Sequence, residues 1–241
     1  MTLAAVRAFG ESLLDGALRI HLIGVAGSGM SGIAGLLLAL GHRVSGSDKV
    51  ENQEVRRLVE QGLRFKRPAD GSDVEAAELV IHSSAIRENH PDVVVARRMG
   101  IPMYRRAEAL AALLGSRKGI VVSGMHGKTT TSSLLSHVLR HAGVRPSHYV
   151  GAEIPILGTN SHWDEEGEYF VAEGDESDGT LALYSPEHSI VLNIEEEHLD
   201  HYANLAEIEE VYGRLVRQTR GSVVYCADDV NASRVCGAHS G

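Results

Sequence analysis

Two short glycine-rich turns, each between an apolar strand and a helix, constrain the fold of this chain more than any other feature. The first turn, at 27–32, follows the apolar segment 19–25, and the second, at 124–130, follows 119–123. A buried strand that enters a helix through glycines is the opening unit of a parallel α/β sheet. The sequence therefore predicts an α/β protein with a Rossmann-like, parallel-sheet N-terminal domain followed by a partial P-loop-type α/β ATPase domain.

The remaining segments fit this alternation of strands and helices. Short apolar runs predict further strands at 43–47, 79–82, 101–104, 169–172, 189–193 and 222–226. Helices are predicted at 51–61, with Val55, Leu58 and Val59 on one face, and at 90–99 and 205–218. A new strand begins after a helix that ends near 115–118. We therefore divide the chain into an uninformative extension at 1–18, a first domain at 19–107 and an incomplete second domain at 108–241.

Composition and charge exclude several classes of protein. The formal net charge of −9 opposes nucleic-acid binding, which needs a basic surface. The longest apolar run, 33–40, is far shorter than the roughly 20 residues that cross a membrane, and the N-terminus does not resemble a signal peptide. The two cysteines, Cys226 and Cys236, predict reduced thiols. We expect a cytoplasmic protein without nucleic-acid or membrane partners.

The first turn fits the pattern G-x-G-x-x-G, and Asp48 closes the next predicted strand 21 positions after Gly27. Glycines let backbone N–H groups approach a pyrophosphate, the helix N-terminus favours its charge, and such an acid accepts a ribose hydroxyl. The pattern therefore favours a nucleotide site over an empty turn, and by itself it is most typical of NAD. The candidate loop residues are Gly27, Ser28, Gly29, Met30, Ser31 and Gly32.

The second turn contains G-x-x-G-K-T, a shortened P-loop, because Val122 stands where the strict pattern has its first glycine. In such a loop the amides hold phosphate, the lysine neutralises phosphate oxygens and the threonine hydroxyl ligates Mg²⁺. A solvent-exposed lysine is the alternative, although a positive charge here opposes the helix dipole. We predict a phosphate site formed by Gly124, Met125, His126, Gly127, Lys128, Thr129 and Thr130.

Acidic residues follow two later strands of the predicted second sheet. The segment 173–178 reads Glu-Gly-Asp-Glu-Ser-Asp, and His198 lies among acids in the segment 193–202. Carboxylates at the carboxyl end of a strand are placed to ligate Mg²⁺, and a histidine there can be a metal ligand or a base. A solvated acidic turn and a surface histidine explain the same residues, so both alternatives stay open.

Taken together, these motifs resemble the Mur ligases of peptidoglycan synthesis. The family carries the motif G-T-x-G-K-T, and residues 124–129 resemble it with Met125 in place of the threonine. The L-alanine-adding branch of the family also carries H-x-x-G-x-G-G-x-G-M-x-G-x-A, which residues 21–34 resemble. Residues 173–178 are similar to the family motif E-A-D-E-S-D, with Gly174 in place of the alanine. Residues 193–202 are similar to the family motif N-I-E-x-D-H-x-D-x-Y, with Glu197 in place of the aspartate. Its S-G-S-D and S-S-A-I stand at 45–48 and 83–86.

The resemblance implies a function for each loop. The first domain would bind UDP-N-acetylmuramate through the first loop, Asp48, Ser83 and Ser84, and the second domain would bind ATP at 124–130. Catalytic roles would fall to three residues, Lys128, Glu173 and His198. The Mg²⁺ ligands would be Thr129, Glu173 and His198.

The reaction that the resemblance implies has two steps. The lactyl carboxylate would attack the γ-phosphate of ATP, and the amine of L-alanine would then displace phosphate from the acyl phosphate. The family's third domain, absent from this chain, and the rest of its central domain would lie beyond residue 241, so we expect the chain alone to be inactive.

Three alternatives remain beside the L-alanine ligase. One is the recycling ligase that attaches a whole tripeptide to the same nucleotide sugar. Another is a fragment that binds the UDP-sugar without catalysis. The last is an NAD-dependent oxidoreductase, in which Lys128 and Glu173 have no obvious use.

Overall fold

The structure is a computed structural model that describes residues 1–177, 179–199, 201–237 and 239. Asp178 and Asp200, which belong to two of the motifs above, lie outside the described residues. The helices are α1 Leu3–Leu14, α2 Ser28–Ala39, α3 Gln53–Glu60, α4 Pro91–Met99, α5 Arg106–Gly115, α6 Lys128–His141, α7 Leu205–Gln218 and α8 Val230–Cys236, with a 3-10 helix at Thr180–Leu183. The strands are β1 Arg19–Ile23, β2 Arg43–Ser47, β3 Arg64–Lys66, β4 Leu79–His82, β5 Met103–Arg105, β6 Lys118–Ser123, β7 Ser147–Tyr149, β8 Ser161–His162, β9 Tyr169–Glu173, β10 His188–Val191 and β11 Val223–Tyr225.

Two sheets, one in each half of the chain, confirm the predicted α/β class. The first has the order β3-β2-β1-β4-β5 and is parallel throughout. The second has the order β11-β10-β6-β9-β7-β8, and only β8 runs antiparallel to its neighbour. The strand order reverses at β1 in the first sheet and at β6 in the second. Ligands of open α/β sheets bind at such points, so the fold places both glycine loops where a ligand is expected.

Several predicted bounds were close, and others need correction. The predictions at 43–47, 79–82 and 205–218 match β2, β4 and α7. The helix predicted at 51–61 is shorter, because the Asn52 side chain accepts a hydrogen bond from the Val55 N–H at 3.0 Å and caps α3. Val59 was wrongly placed on its buried face, since it is 46% exposed.

The N-terminal extension is a structural element, which the sequence prediction missed. Helix α1 occupies most of the extension and packs against α5. Its buried residues Val6, Phe9 and Leu13 are spaced by three and four positions, as one face of a helix requires. The Phe9 ring also stacks on Tyr104, with ring centroids 3.8 Å apart. The extension therefore belongs to the same packed unit as the first sheet.

The start of α2 packs directly on the second sheet. Because Gly32 has no side chain, the Tyr149 ring approaches so closely that a Cβ at position 32 would lie 2.8 Å from it. Beside it, the Asn160 side-chain amide donates to the Ser28 carbonyl at 3.0 Å. Part of the first glycine pattern therefore serves contact between the two halves of the chain as well as the loop itself.

None of the helices formed by the described residues is both long enough and apolar enough to span a bilayer.

Acid should destabilise the second sheet through His148, which is fully buried in β7. Burial, and then the charge of His162, lower the pKa of His148 to about 4 from its ordinary 6.5. The folded state therefore binds fewer protons than the unfolded state below pH 6.5, so the stability contributed by neutral His148 is present above 6.5 and is lost towards pH 4. We expect the free energy of unfolding to fall by about 2 kcal/mol between pH 7 and pH 4.5 through this residue.

Urea unfolding of the wild-type chain and of His148→Phe at both pH values tests this expectation. Between pH 7 and pH 4.5 the phenylalanine variant should lose about 2 kcal/mol less free energy of unfolding than the wild type. Burial also lowers the pKa values of His42 and His162, and these two residues contribute to the loss in both proteins. Equal losses in the two proteins would show that His148 does not titrate in this range.

Candidate active site

The first glycine loop lines a cleft of about 410 Å³, and Lys128 is the residue of the second loop, 124–130, that reaches the same cleft. In this cleft, residues predicted to bind the nucleotide sugar lie beside Lys128, predicted to bind phosphate, and Glu173, predicted to bind the metal. From the first half of the chain the lining residues are Gly27, Ser28, Gly29, Met30, Ser83, Ser84 and Arg106. From the second half they are Lys128, Tyr149, Gly151, Glu173, Gly174 and Asp175. Two sites predicted separately from sequence therefore share a boundary.

Three backbone amides of the first loop lie at this cleft and donate to no acceptor among the described residues. Helix α2 begins at Ser28, and its first intrahelical bond runs from the Ser31 N–H to the Gly27 carbonyl at 2.8 Å. The N–H groups of the three residues between them precede that bond and are suited to an anion. Ser31 and Gly32 are buried and do not line the cleft, so their contact with a nucleotide stays a prediction.

Asp48 holds the backbone of the first loop. Its Oδ2 accepts from the Ala26 N–H at 2.9 Å and its Oδ1 from the Val50 N–H at 3.1 Å. A carboxylate offers about four lone-pair positions, so acceptors remain for a ribose hydroxyl. The predicted ribose contact stays a prediction, and the observed function of this side chain is to fix the turn.

In the second loop, Lys128 is fully engaged with protein groups. Its Nζ donates to the carbonyls of Gly124 and Met125 at 2.6 and 3.3 Å, and to Glu176 Oε1 at 2.7 Å. An ammonium group has three donors, so a phosphate has to replace at least one of these acceptors. The lysine lies within the curve of the loop, where the predicted phosphate contact requires it.

Glu176 is the residue that sequence reasoning missed here. Its side chain is only 3% exposed, and the same Oε1 lies 3.5 Å from His198 Nε2. Burial raises the pKa of Glu176 above its ordinary value and outweighs the opposing effect of Lys128. In the sequence, Glu176 is one of four acidic residues in the segment 173–178, and its burial in the folded chain is what distinguishes it from the others.

Glu173 and Thr129 come together, as the metal prediction requires. Burial raises the pKa of Glu173, while the nearby Gly151 backbone and Thr129 hydroxyl oppose the rise. Glu173 Oε1 is buried and accepts no hydrogen bond from any described residue. A carboxylate oxygen without a partner next to a threonine hydroxyl fits the oxygen ligands that Mg²⁺ prefers.

The third predicted ligand, His198, lies beside Glu176. Its φ of 55° puts it in the left-handed region, which is uncommon for a residue other than glycine. Within the described part of the chain, no group of three or more histidine, cysteine, aspartate or glutamate side chains is arranged to hold a metal. Glu173 and Thr129 are therefore neighbours, and the metal-binding role of all three proposed ligands, His198 included, stays a prediction.

Asn193, after β10, clamps the second loop. Its side-chain oxygen accepts from the His126 N–H at 2.9 Å, and its nitrogen donates to the His126 carbonyl at 3.1 Å. Among the other predicted phosphate contacts, Met125 is buried and Thr130 is exposed. The Met125 side chain therefore packs in the core and only its backbone is available to a ligand.

Comparison with known proteins gives matches along almost the whole chain. The model for the Mur ligase family catalytic domain matches residues 19–118, and the model for the Mur ligase middle domain matches 122–240. The UDP-N-acetylmuramate–L-alanine ligase of Rubrobacter xylanophilus is 42% identical over 220 residues, which are 90% of this chain and 49% of that protein. The ligase of the same name from Saccharopolyspora erythraea is 40% identical over 221 residues, or 89% of this chain and 45% of that protein.

Solved structures agree with these matches. The UDP-N-acetylmuramate-alanine ligase of Thermotoga maritima superposes with a TM-score of 0.84 at 29% identity, over 90% of this chain and 51% of that one. A ligase from Neisseria meningitides that joins UDP-N-acetylmuramate to L-alanyl-gamma-D-glutamyl-meso-diaminopimelate gives 0.83 at 25% identity, over 92% and 75%. The chain spans about half the length of the curated relatives it matches.

Proposed function

The chain belongs to the Mur ligase family, and we propose that it is part of an enzyme of peptidoglycan synthesis that joins L-alanine to UDP-N-acetylmuramate while converting ATP to ADP. The cleft that the first glycine loop shares with Lys128 and Glu173 is the observation that supports this proposal best, since a nucleotide-sugar loop then lies beside the lysine of a phosphate loop. An oxidoreductase has no use for Lys128 and Glu173 at that place. In this proposal ATP binds to the second glycine loop. The enzyme is proposed to act in the cytoplasm.

The proposed chemistry follows from the residues around the cleft. Lys128 lies where it can neutralise the γ-phosphate as the substrate carboxylate attacks it, and the loop amides hold the phosphate in place. Glu173 and Thr129 would hold Mg²⁺, which supplies further neutralisation of the phosphate charge when bound. Glu176 positions Lys128 and His198 through the contacts described above. ADP leaves as the acyl phosphate forms, and the amine of L-alanine then attacks the acyl carbon, so that the C–O bond to phosphate breaks, inorganic phosphate leaves and the nitrogen loses a proton.

A chimeric enzyme tests this proposal. Residues 1–241 replace the matching part of the Rubrobacter xylanophilus relative, and ADP release is measured with ATP, Mg²⁺ and UDP-N-acetylmuramate. We expect release that depends on L-alanine and not on the tripeptide L-alanyl-gamma-D-glutamyl-meso-diaminopimelate. Release with the tripeptide alone would identify the recycling ligase. A chimera that binds the nucleotide sugar but turns over neither amine, while the intact relative is active, would contradict a catalytic role.

A further inference from the structure

A guanidinium group lies over the first glycine loop at the edge of the shared cleft. Arg106, the first residue of α5, has a side chain that is 22% exposed. Its Nη1 donates to the Tyr149 hydroxyl at 3.1 Å and its Nη2 donates to Asp175 Oδ2 at 2.8 Å. A guanidinium has five N–H donors, so these two bonds leave donors available at a cleft that the same side chain lines.

The absence of a side chain at Gly29 is what admits Arg106 to this place. A Cβ at position 29 would lie 2.9 Å from Arg106 Cδ, 3.2 Å from its Nε and 2.9 Å from the Tyr149 hydroxyl. The Tyr149 hydroxyl in turn donates to the Gly29 carbonyl at 3.0 Å. The guanidinium is therefore tied to the loop itself, next to the amides that start α2.

Both groups that hold Arg106 are themselves fixed. Tyr149 is 2% exposed, and Asp175 accepts from the Ser177 N–H and hydroxyl at 3.1 and 2.6 Å. An arginine oriented before its ligand arrives loses little conformational freedom on binding, which favours affinity.

We propose that Arg106 binds the diphosphate of the nucleotide sugar, together with the amides of the first loop. This rests on the proposed function, which supplies the ligand. A planar guanidinium with free donors matches two phosphate oxygens at once, and the adjacent helix N-terminus favours the same charge. Lys128, which is held within the second loop, serves the phosphates of ATP instead. Tyr149 and Asp175 act as positioning residues for Arg106.

Calorimetric titration of the 241-residue chain with UDP-N-acetylmuramate, with UDP and with Mg·ATP, together with NMR titration with uridine, tests the proposal. In Arg106→Gln we expect the Kd for both diphosphates to rise about 10- to 100-fold, the range for a lost charged hydrogen bond. The Kd for uridine, which has no phosphate, should stay within about twofold. Arg106→Lys keeps the charge without the planar fork and should lose less than the glutamine variant.

Arg105→Gln is the matched control, because Arg105 is the neighbouring arginine, is exposed and does not line the cleft. It should leave the affinity for UDP unchanged, and thermal melting of each variant reports whether it folds. An Arg106→Gln variant that binds UDP as tightly as the wild type would overturn the proposal. An equal loss for uridine and UDP would assign Arg106 a structural role only, and a loss confined to Mg·ATP would assign it to the other loop. A wild-type chain that binds no UDP-sugar would instead refute the proposed function.

Discussion

Replacing Lys128 by alanine is expected to reduce ATP-dependent turnover of the chimeric ligase by at least about 100- to 1,000-fold. The expectation follows from the position of its ammonium group inside the phosphate loop, where removal of one stabilising donor has effects of this size. Initial rates of ADP release at saturating L-alanine give the comparison.

Two further variants separate this loss from misfolding. The alanine substitution leaves Glu176 buried without its cation, which by itself destabilises the fold. The double variant Lys128→Ala/Glu176→Gln removes that unpaired charge and should recover stability without recovering turnover. Lys118→Ala, at the exposed opposite end of β6, should behave as the wild type. Activity restored in the double variant would show that Lys128 acts only by pairing with Glu176.

Replacing Asp92 by alanine is expected to lower the free energy of unfolding by about 3–5 kcal/mol, because a buried carboxylate that takes part in three hydrogen bonds is removed and each such bond contributes about 1.5–3 kcal/mol. Asp92 Oδ2 lies 3.1 Å from His21 Nε2 and accepts from the Ser47 hydroxyl, while Oδ1 accepts from the Gly71 N–H at 2.9 Å. His21 and Asp92 are 1% and 2% exposed, so water cannot replace the lost bonds. Urea unfolding at pH 7 measures the change.

The unfolding experiment is done at pH 7 because Asp92 is ionised at that pH. Burial alone would raise the pKa of Asp92, but the hydrogen bonds from His21 and Ser47 outweigh it, and the pKa lies below the ordinary 3.8. The stabilisation is therefore present above pH 3.8 and is lost as the pH falls through the folded value. Asp15→Ala, at an exposed position, is the control and should change little. A loss under about 1 kcal/mol in Asp92→Ala would mean that the network does not hold β1, β2 and α4 together.

Local patterns were sufficient to predict both loops and most of the strands. A glycine turn between an apolar strand and a helix is a property of about twenty consecutive residues, so β1, β6 and the two loops could be placed without knowing the fold. Strands β3, β7 and β8 were missed because they are short and mostly polar, with the sequences RFK, SHY and SH, whereas the equally short β5 and β11 lie in apolar runs. Helix α1 was detectable, since Val6, Phe9 and Leu13 carry the helical spacing.

The residues missed at the site share one cause, which is that their function depends on distant partners. Arg106 meets Tyr149 across 43 positions of sequence and Asp175 across 69. Glu176 meets Lys128 across 48. Nothing in the local sequence distinguishes Arg106 from Arg105, or Glu176 from its acidic neighbours. Only the folded chain shows that Arg106 lines the cleft, that Glu176 is buried and that Arg105 is exposed.

Calorimetry of the purified 241-residue chain with UDP-N-acetylmuramate and with NAD tests the central claim most directly, because the first loop pattern is compatible with either ligand. Both titrations use the same protein, buffer and Mg²⁺ concentration, so the two Kd values can be compared without further assumptions. We predict that the UDP-sugar binds and that NAD shows no saturable heat. NAD binding more tightly than UDP-N-acetylmuramate would contradict the assignment of this chain to a nucleotide-sugar ligase.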